Sequence, residues 1–227
     1  NLITFPEKDK KKITELLRPF VNLNKFVTLH VRDQNFYNRK KSLRDADINT
    51  YKDTIEYLIK NGYSVVRLGH SNSSKVNFDF DKNFFDYSKS PFKSPKIDVF
   101  LLSHCIFFIG CSSGPADIPK LFSINSCNVN HYTAPNAFNF MTGDLTSIKK
   151  IKYKKNKKLV PFDLLLKDPL AKNPSEKILE ELGLFVEDNT ADEILQTVKE
   201  FINHRKKNIL LQNKAKNSLS ENNYSFN

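Results

Sequence analysis

The stretch Phe107-Phe108-Ile109-Gly110-Cys111-Ser112-Ser113-Gly114-Pro115 is an apolar run that stops abruptly in small residues. It is too short for a buried helix and fits a strand covered on both faces, as parallel sheets require. Small residues at a strand-to-helix junction let backbone N–H groups approach an anion, and a helix is expected over 114–123. An earlier run, Thr28-Leu29-His30-Val31-Arg32-Asp33, ends in the same way but with an arginine. Ligands of open parallel sheets bind outside the carboxyl ends of the strands. Arg32 from one strand end, with Gly110, Ser112, Ser113 and Gly114 from the other, therefore reads as a clamp for a diphosphate. The guanidinium fork matches phosphate oxygens better than an ammonium does.

Outward from these two runs, strands and helices alternate. A helix over 6–18 opens on Pro6, and Lys25 to Val31 is a strand. After a polar loop, a helix over 48–60 carries Ile48, Tyr51, Ile55, Leu58 and Ile59 on one face and stops at Gly62. Tyr63 to Leu68 is the next strand, closing on Arg67-Leu68-Gly69-His70. A short helix is expected near 82–87, then a helix over 96–104 and strands over 105–110 and 125–130. Residues 131–172 show no regular pattern. Asn173-Pro174-Ser175-Glu176 offers an N-cap and a first-turn proline, and Thr190-Ala191-Asp192-Glu193 is a capping box ahead of Ile194, Leu195, Val198, Phe201 and Ile202 at helical spacing. The alternation predicts an α/β fold, a Rossmann-like doubly wound parallel sheet. Residues 1–24 read as a helix and linker, 25–211 as the Rossmann-like domain, and 212–227 as a polar, fraying tail.

Composition narrows the classes. The chain has 39% hydrophobic and 12% aromatic residues, which fits a globular domain. It holds no apolar run of the roughly 20 residues a membrane helix needs. It begins with Asn1, and its single methionine is Met141, so further sequence ahead of residue 1 is expected. The net charge of +11 invites a nucleic-acid reading. Against it, only six of the 36 basic residues are arginine, and richness in Asn, Lys, Ile and Phe suits an AT-rich genome; no nucleic-acid partner is expected. Seven lysines fall within residues 149–158. They read either as a solvated surface loop or as a contact with anionic lipid or a polyanionic acceptor. Cys105, Cys111 and Cys127 lack metal-ligand spacing and read as reduced, buried thiols in a cytoplasmic protein.

Each candidate site residue has a competing reading. Arg32 would otherwise pair with a surface carboxylate. His30 is as well explained by a satisfied core histidine as by a catalytic one. Asp33 is a candidate general base or an orienter of Arg32. The segment Gly110–Gly114 is neither a Walker loop nor G-x-G-x-x-G. Centred on Ser112 it has the G-x-S-x-G spacing of a serine hydrolase, which Pro115 and the lack of a clear late histidine oppose. The triplets Asp45-Ala46-Asp47 and Asp79-Phe80-Asp81 do not follow strands, so chance or capping is preferred to a metal site, with Asp47 capping the next helix.

His30-Val31-Arg32-Asp33, Phe36-Tyr37, Arg44-Asp45-Ala46-Asp47-Ile48 with Tyr51, Val65-Val66-Arg67-Leu68-Gly69, Phe107–Gly114 and Glu187–Ile194 follow one another over about 165 residues. In that order and spacing the chain resembles a group of bacterial surface-polysaccharide glycosyltransferases, with Asp45 in place of an expected Asn. More remotely, His-x-Arg at the first strand is similar to the α1,6- and O-fucosyltransferases, where the arginine binds the donor β-phosphate. The resemblance implies the two-domain GT-B fold, with this chain as the C-terminal, donor-binding domain and residues 1–24 as a remnant of the acceptor domain. It implies a nucleotide-diphosphate sugar as donor substrate, a glycan or lipid-linked glycan as acceptor, and neither cofactor nor metal. Arg32, Asp33 and His30 would then be catalytic, and Arg67, Gly69, Gly110, Ser112, Ser113 and Gly114 substrate-binding. Two other classes stay open: a Rossmann-like nucleotide-binding module without turnover, and a hydrolase using Ser112.

Overall fold

The computed structural model describes residues 4–36, 42–80, 83–134, 137, 141–172 and 174–221; for Phe36 and 208–221 the description is of the backbone. Six parallel strands form the central sheet: β1 (Phe26–His30), β2 (Ser64–Leu68), β3 (Phe84–Phe85), β4 (Phe108–Gly110), β5 (Ser126–His131) and β6 (Leu145–Ile148). Their order is β3-β2-β1-β4-β5-β6, the dinucleotide-fold order, so the direction of winding reverses between β1 and β4. The expected doubly wound α/β class is what the chain forms.

Alternate side chains of these strands feed two cores. Val27, Leu29, Val31, Val65, Ile109 and Val129 face helices α2 (Lys52–Lys60) and α7 (Ala191–Glu221). Phe26, Val66, Leu68 and Phe108 face α1 (Glu7–Leu17) and α3 (Pro95–His104) on the opposite side. Burial on both faces is why the strands read as continuous apolar runs rather than alternating ones. Ile13, Leu17 and Val21 belong to the second core. The helix expected over 6–18 is present as α1, and its inner face packs into this core.

Local chemistry sets several element ends. Thr190 Oγ1 accepts from Glu193 N at 3.2 Å and Glu193 Oε2 accepts from Thr190 N at 2.8 Å, the reciprocal capping box that opens α7. α7 continues in backbone to Glu221, past the fraying expected at Leu211. Asp47 accepts from Asn49 N at 2.9 Å and starts a 3-10 turn, Ile48–Tyr51, that leads into α2. Ser175 caps α6 (Glu176–Glu181), accepting from Ile178 N at 3.3 Å; the expected cap, Asn173, lies outside the described residues.

Three expectations fail. The short helix near 82–87 is instead the edge strand β3, because Phe84 and Phe85 pair with Val65 and Val66. The helix expected over 114–123 is a 3-10 turn, Gly114–Ala116, followed by a four-residue α4 (Ile118–Leu121); Pro115 and Pro119 each withhold a backbone N–H. The first part of the lysine-rich segment, expected as a surface loop, is strand β7 (Lys150–Tyr153), antiparallel to β8 (Leu184–Glu187) in a small separate sheet, and only residues 154–158 form an exposed turn. Four of its seven lysines are paired within the fold. Lys149 Nζ donates at 2.6 Å to both Asp188 Oδ1 and the Asp45 carbonyl, Lys150 pairs with Glu193, Lys152 with Glu187, and Lys154 with Glu180. With α5 (Phe162–Leu165) and α6, this sheet encloses a third core of Ile151, Val160, Leu165, Leu170, Leu179 and Leu184. Among the described residues no helix is long and apolar enough to cross a membrane.

Candidate functional site

A cleft of about 620 Å³ opens at the carboxyl ends of β1, β2 and β4, on the α3 side of the winding reversal. His30, Arg32, Asp33, Gly69, Ser113 and Gly114 line it, all of them anticipated from the sequence. Arg44, Lys93, Asp98, His70 and Ser73 line it too and were not anticipated as site residues. Leu68, Leu102, Pro115 and Ile118 give it an apolar floor.

The two decisive strand ends are joined. His30 and Gly110 are register partners. Beyond them, Arg32 N donates to Cys111 Sγ at 3.2 Å, and His30 Nδ1 lies 3.0 Å from Ser113 Oγ. Gly114 is exposed, with nothing within 4 Å of where a Cβ would stand, so a ligand can meet the backbone there. The N–H groups that open a helical turn have no partner inside it. In the 3-10 turn that replaces the expected helix, Gly114 is the first residue and lines the cleft.

Arg32 is held rather than loose. Its Nε lies 3.4 Å from Oδ1 of Asp45, which is buried and whose Oδ2 accepts from Ser42 N at 2.7 Å. Asp45, read from sequence as chance or capping, is the orienter of Arg32. Asp33 does other work: Oδ1 accepts from Asn35 N at 2.9 Å and Oδ2 from Ser74 N at 3.0 Å. With both oxygens on backbone donors, it ties the loop after β1 to the loop after β2.

Three anticipated residues do not line the cleft. Arg67 is fully buried; Nη1 pairs with Asp86 Oδ2 at 2.9 Å and Nη2 donates to the Ser74 carbonyl at 2.7 Å. Through these contacts it braces the loop after β2. Gly110 serves packing, since a Cβ there would stand 2.3 Å from the Phe108 ring. Ser112 holds the turn together: Oγ accepts from Tyr132 N at 2.7 Å, and its carbonyl accepts from Arg44 Nε at 3.0 Å. The imidazole of His30 meets Ser113, not Ser112.

Burial, assisted by the Arg67 guanidinium, pushes the His30 imidazole from 6.5 down to about 4. At neutral pH it is an uncharged hydrogen-bonding group. Which ring nitrogen carries the proton follows from whether Ser113 donates or accepts. The three thiols are buried, and burial raises each of them, Cys105 and Cys111 to about 11, as expected of inert cysteines. Among the described residues no group of three or more His, Cys, Asp or Glu side chains is placed to hold a metal ion; Asp81 of the second triplet lies outside them.

Lys93 and Asp98 face each other in the cleft wall, with Nζ–Oδ distances of 2.8 and 3.0 Å. Lys93 also lies 5.4 Å from the Tyr87 ring centroid. A sequence signal existed for Arg44, which sits in the motif Arg44-Asp45-Ala46-Asp47. None existed for Lys93, one lysine among many.

No family model matches the chain, and no curated protein matches it. One solved structure to which it is similar is the dodecameric iron-containing heptosyltransferase TibC in complex with ADP-D-beta-D-heptose. The TM-score is 0.43 at 14% identity, over 81% of this chain and 47% of that one. The chain thus spans about half the length of that protein.

Proposed function

We propose that this chain is the nucleotide-sugar-binding part of a glycosyltransferase, and that its donor diphosphate sits between Arg32 and the Ser113-Gly114 turn. The observation that carries the reading is the placement of an oriented arginine and an open Gly/Ser turn on facing strand ends at the winding reversal of a 3-2-1-4-5-6 sheet. In the proposed reaction an acceptor hydroxyl attacks the anomeric carbon. The bond from that carbon to the diphosphate oxygen breaks, the hydroxyl proton leaves, and the diphosphate takes the electron pair. Charge therefore grows on the leaving group, which Arg32, the Gly114 N–H and the Ser113 hydroxyl are proposed to contact. A fixed guanidinium supplies in this scheme the positive charge that a divalent cation supplies in other transferases, so the reaction is proposed to be metal-independent. The acceptor is proposed to be a hydroxyl of a surface glycan or lipid-linked glycan.

One observation favours a narrower second reading, a nucleotide-binding module. Both carboxylates in the cleft are already engaged, Asp33 by backbone N–H groups and Asp98 by Lys93. In the transferase reading the base comes from the acceptor or from another part of the enzyme.

Calorimetry with UDP, GDP and ADP separates these readings from failure of both. Binding of one of them is expected, weakened roughly 10- to 100-fold by Arg32→Ala, which removes a charge-assisted phosphate contact. Arg32→Lys should recover little of it. Absence of binding by any nucleoside diphosphate overturns the donor site. Binding without transfer in the longest natural form of the protein, across a panel of nucleotide sugars, selects the second reading.

A further inference from the structure

The small β7/β8 subdomain carries a surface that the cleft does not explain. Large apolar side chains are exposed at Leu159, Phe162, Leu164, Leu166 and Leu182, with Phe162 at 60% and Leu159 at 58%. Four of the five lie within Leu159–Leu166. The backbone beneath them is anchored, because Val160, Leu165 and Leu170 are buried in the third core. Leu159 pairs with Lys152, placing it on the outward face of the β7/β8 sheet, and its neighbour Val160 turns inward. Phe162 opens α5 and Leu166 caps its C-terminal end, four residues on. Leu182 closes α6 next to Gly183, whose carbonyl accepts from Lys154 N. These side chains are therefore displayed by a rigid support.

Lysines adjoin them on the turn Lys154–Lys158. Lys154 is paired with Glu180, and Lys157 lies over the Phe185 ring. Among the described residues Lys155 and Lys158 have no carboxylate partner, and both are exposed. The turn also holds no acidic residue between Lys149 and Pro161.

We propose that this face docks on an anionic lipid surface, with Leu159, Phe162 and Leu166 entering the interfacial layer and Lys155 and Lys158 facing the headgroups. Protruding apolar side chains beside lysines match that layer, in which long lysine stems snorkel while the apolar groups descend. Protein interfaces, by contrast, are depleted of lysine and favour arginine. The placement differs from what the lysine count alone indicates. Lys149, Lys150 and Lys152 are consumed inside the fold, and the contact shifts to the turn and to the apolar segment after it.

The test uses the whole chain and large unilamellar vesicles, either phosphatidylcholine alone or with roughly a third phosphatidylglycerol. Cosedimentation with the anionic vesicles is expected, falling as salt rises. Lys155→Glu with Lys158→Glu, and separately Phe162→Ser with Leu166→Ser, should each lower partitioning about tenfold or more. All four positions are exposed or partly exposed to solvent at the surface, and an unchanged far-ultraviolet melting curve verifies folding of each pair. Failure to bind anionic vesicles overturns the proposal. So does binding that neither pair weakens. A dimer in size-exclusion chromatography that Phe162→Ser with Leu166→Ser dissolves would assign the face to a second copy of the chain and equally overturn it. None of these outcomes depends on what the cleft binds.

Discussion

Arg67→Ala should act on stability, where Arg32→Ala should act on ligand binding, although both arginines stand at the ends of adjacent parallel strands. Arg67 is fully buried, and its removal strands two acceptors, the Asp86 carboxylate and the Ser74 carbonyl. Breaking a buried pair by deleting one partner costs about 3–5 kcal/mol. Asp86 keeps 19% side-chain exposure and a 2.5 Å hydrogen bond from Ser88 Oγ, so the lower end, about 3 kcal/mol, is the better figure. For a domain of this size each kcal/mol shifts Tm by about 2–4 °C, giving a fall of roughly 6–12 °C. Differential scanning calorimetry of the two variants beside the parent chain measures it. Nucleotide affinity of Arg67→Ala, measured well below its Tm, should fall less than that of Arg32→Ala, since only the support of the cleft wall loosens. A Tm within about 2 °C of the parent together with abolished binding would refute the reasoning, and would return Arg67 to the ligand-contacting role that its sequence position suggests.

His30 should make the fold acid-sensitive. Its folded value of about 4 lies below the ordinary 6.5, so the benefit of a neutral buried imidazole is complete above pH 6.5 and lost as pH falls through about 4. His30→Gln should lower the acid dependence of Tm between pH 7 and pH 4, by a stability difference on the order of 2 kcal/mol; parallel slopes for the two proteins would contradict it. Gly110→Ala places a methyl 2.3 Å from the Phe108 ring, and overpacking of this kind costs about 1–3 kcal/mol, readable as a lower urea midpoint. On the proposed transferase reading, transfer should survive EDTA; loss in chelator with recovery on Mn²⁺ or Mg²⁺ would replace the arginine-based scheme with a metal-assisted one.

What was legible in the sequence was local. The apolar runs gave the strands, because burial on both faces leaves a continuous signature at β1, β2, β4 and β5. The capping box at Thr190 and the Asp47 cap were legible because each is closed within three residues. The 114–123 segment misled because small residues and spacing suggest a helix while two prolines shorten it. Residues 131–172 carried no periodicity because their strands pair across the chain: Lys150 with Glu187, Tyr153 with Leu184. For the same reason a lysine run that looks solvated contains a buried Lys149. Charge counted along the chain says nothing about carboxylates that arrive from nearly 40 residues away, as Asp188 does.

The site itself divides along this line. Of the groups that line the cleft, His30, Arg32, Ser113 and Gly114 are the ones a strand end announces, while Lys93 and Asp98 in its wall are not. The groups that hold them come from distant segments and leave no local mark. Arg32 is the clearest case. Its carbonyl accepts from Ala46 N at 2.9 Å, its guanidinium faces Asp45, and the Asp45 carbonyl accepts from Lys149 Nζ, which is itself paired with Asp188. The small β7/β8 sheet thus reaches the clamp through a buried lysine. A guanidinium oriented before the ligand arrives needs little reorganisation as charge develops on a leaving group, and this is the condition under which a protein cation stabilises a transition state best. The same chain of contacts ties the proposed lipid-facing subdomain to the cleft, because Lys149 immediately precedes β7, whose far end leads into the exposed Lys154–Lys158 turn.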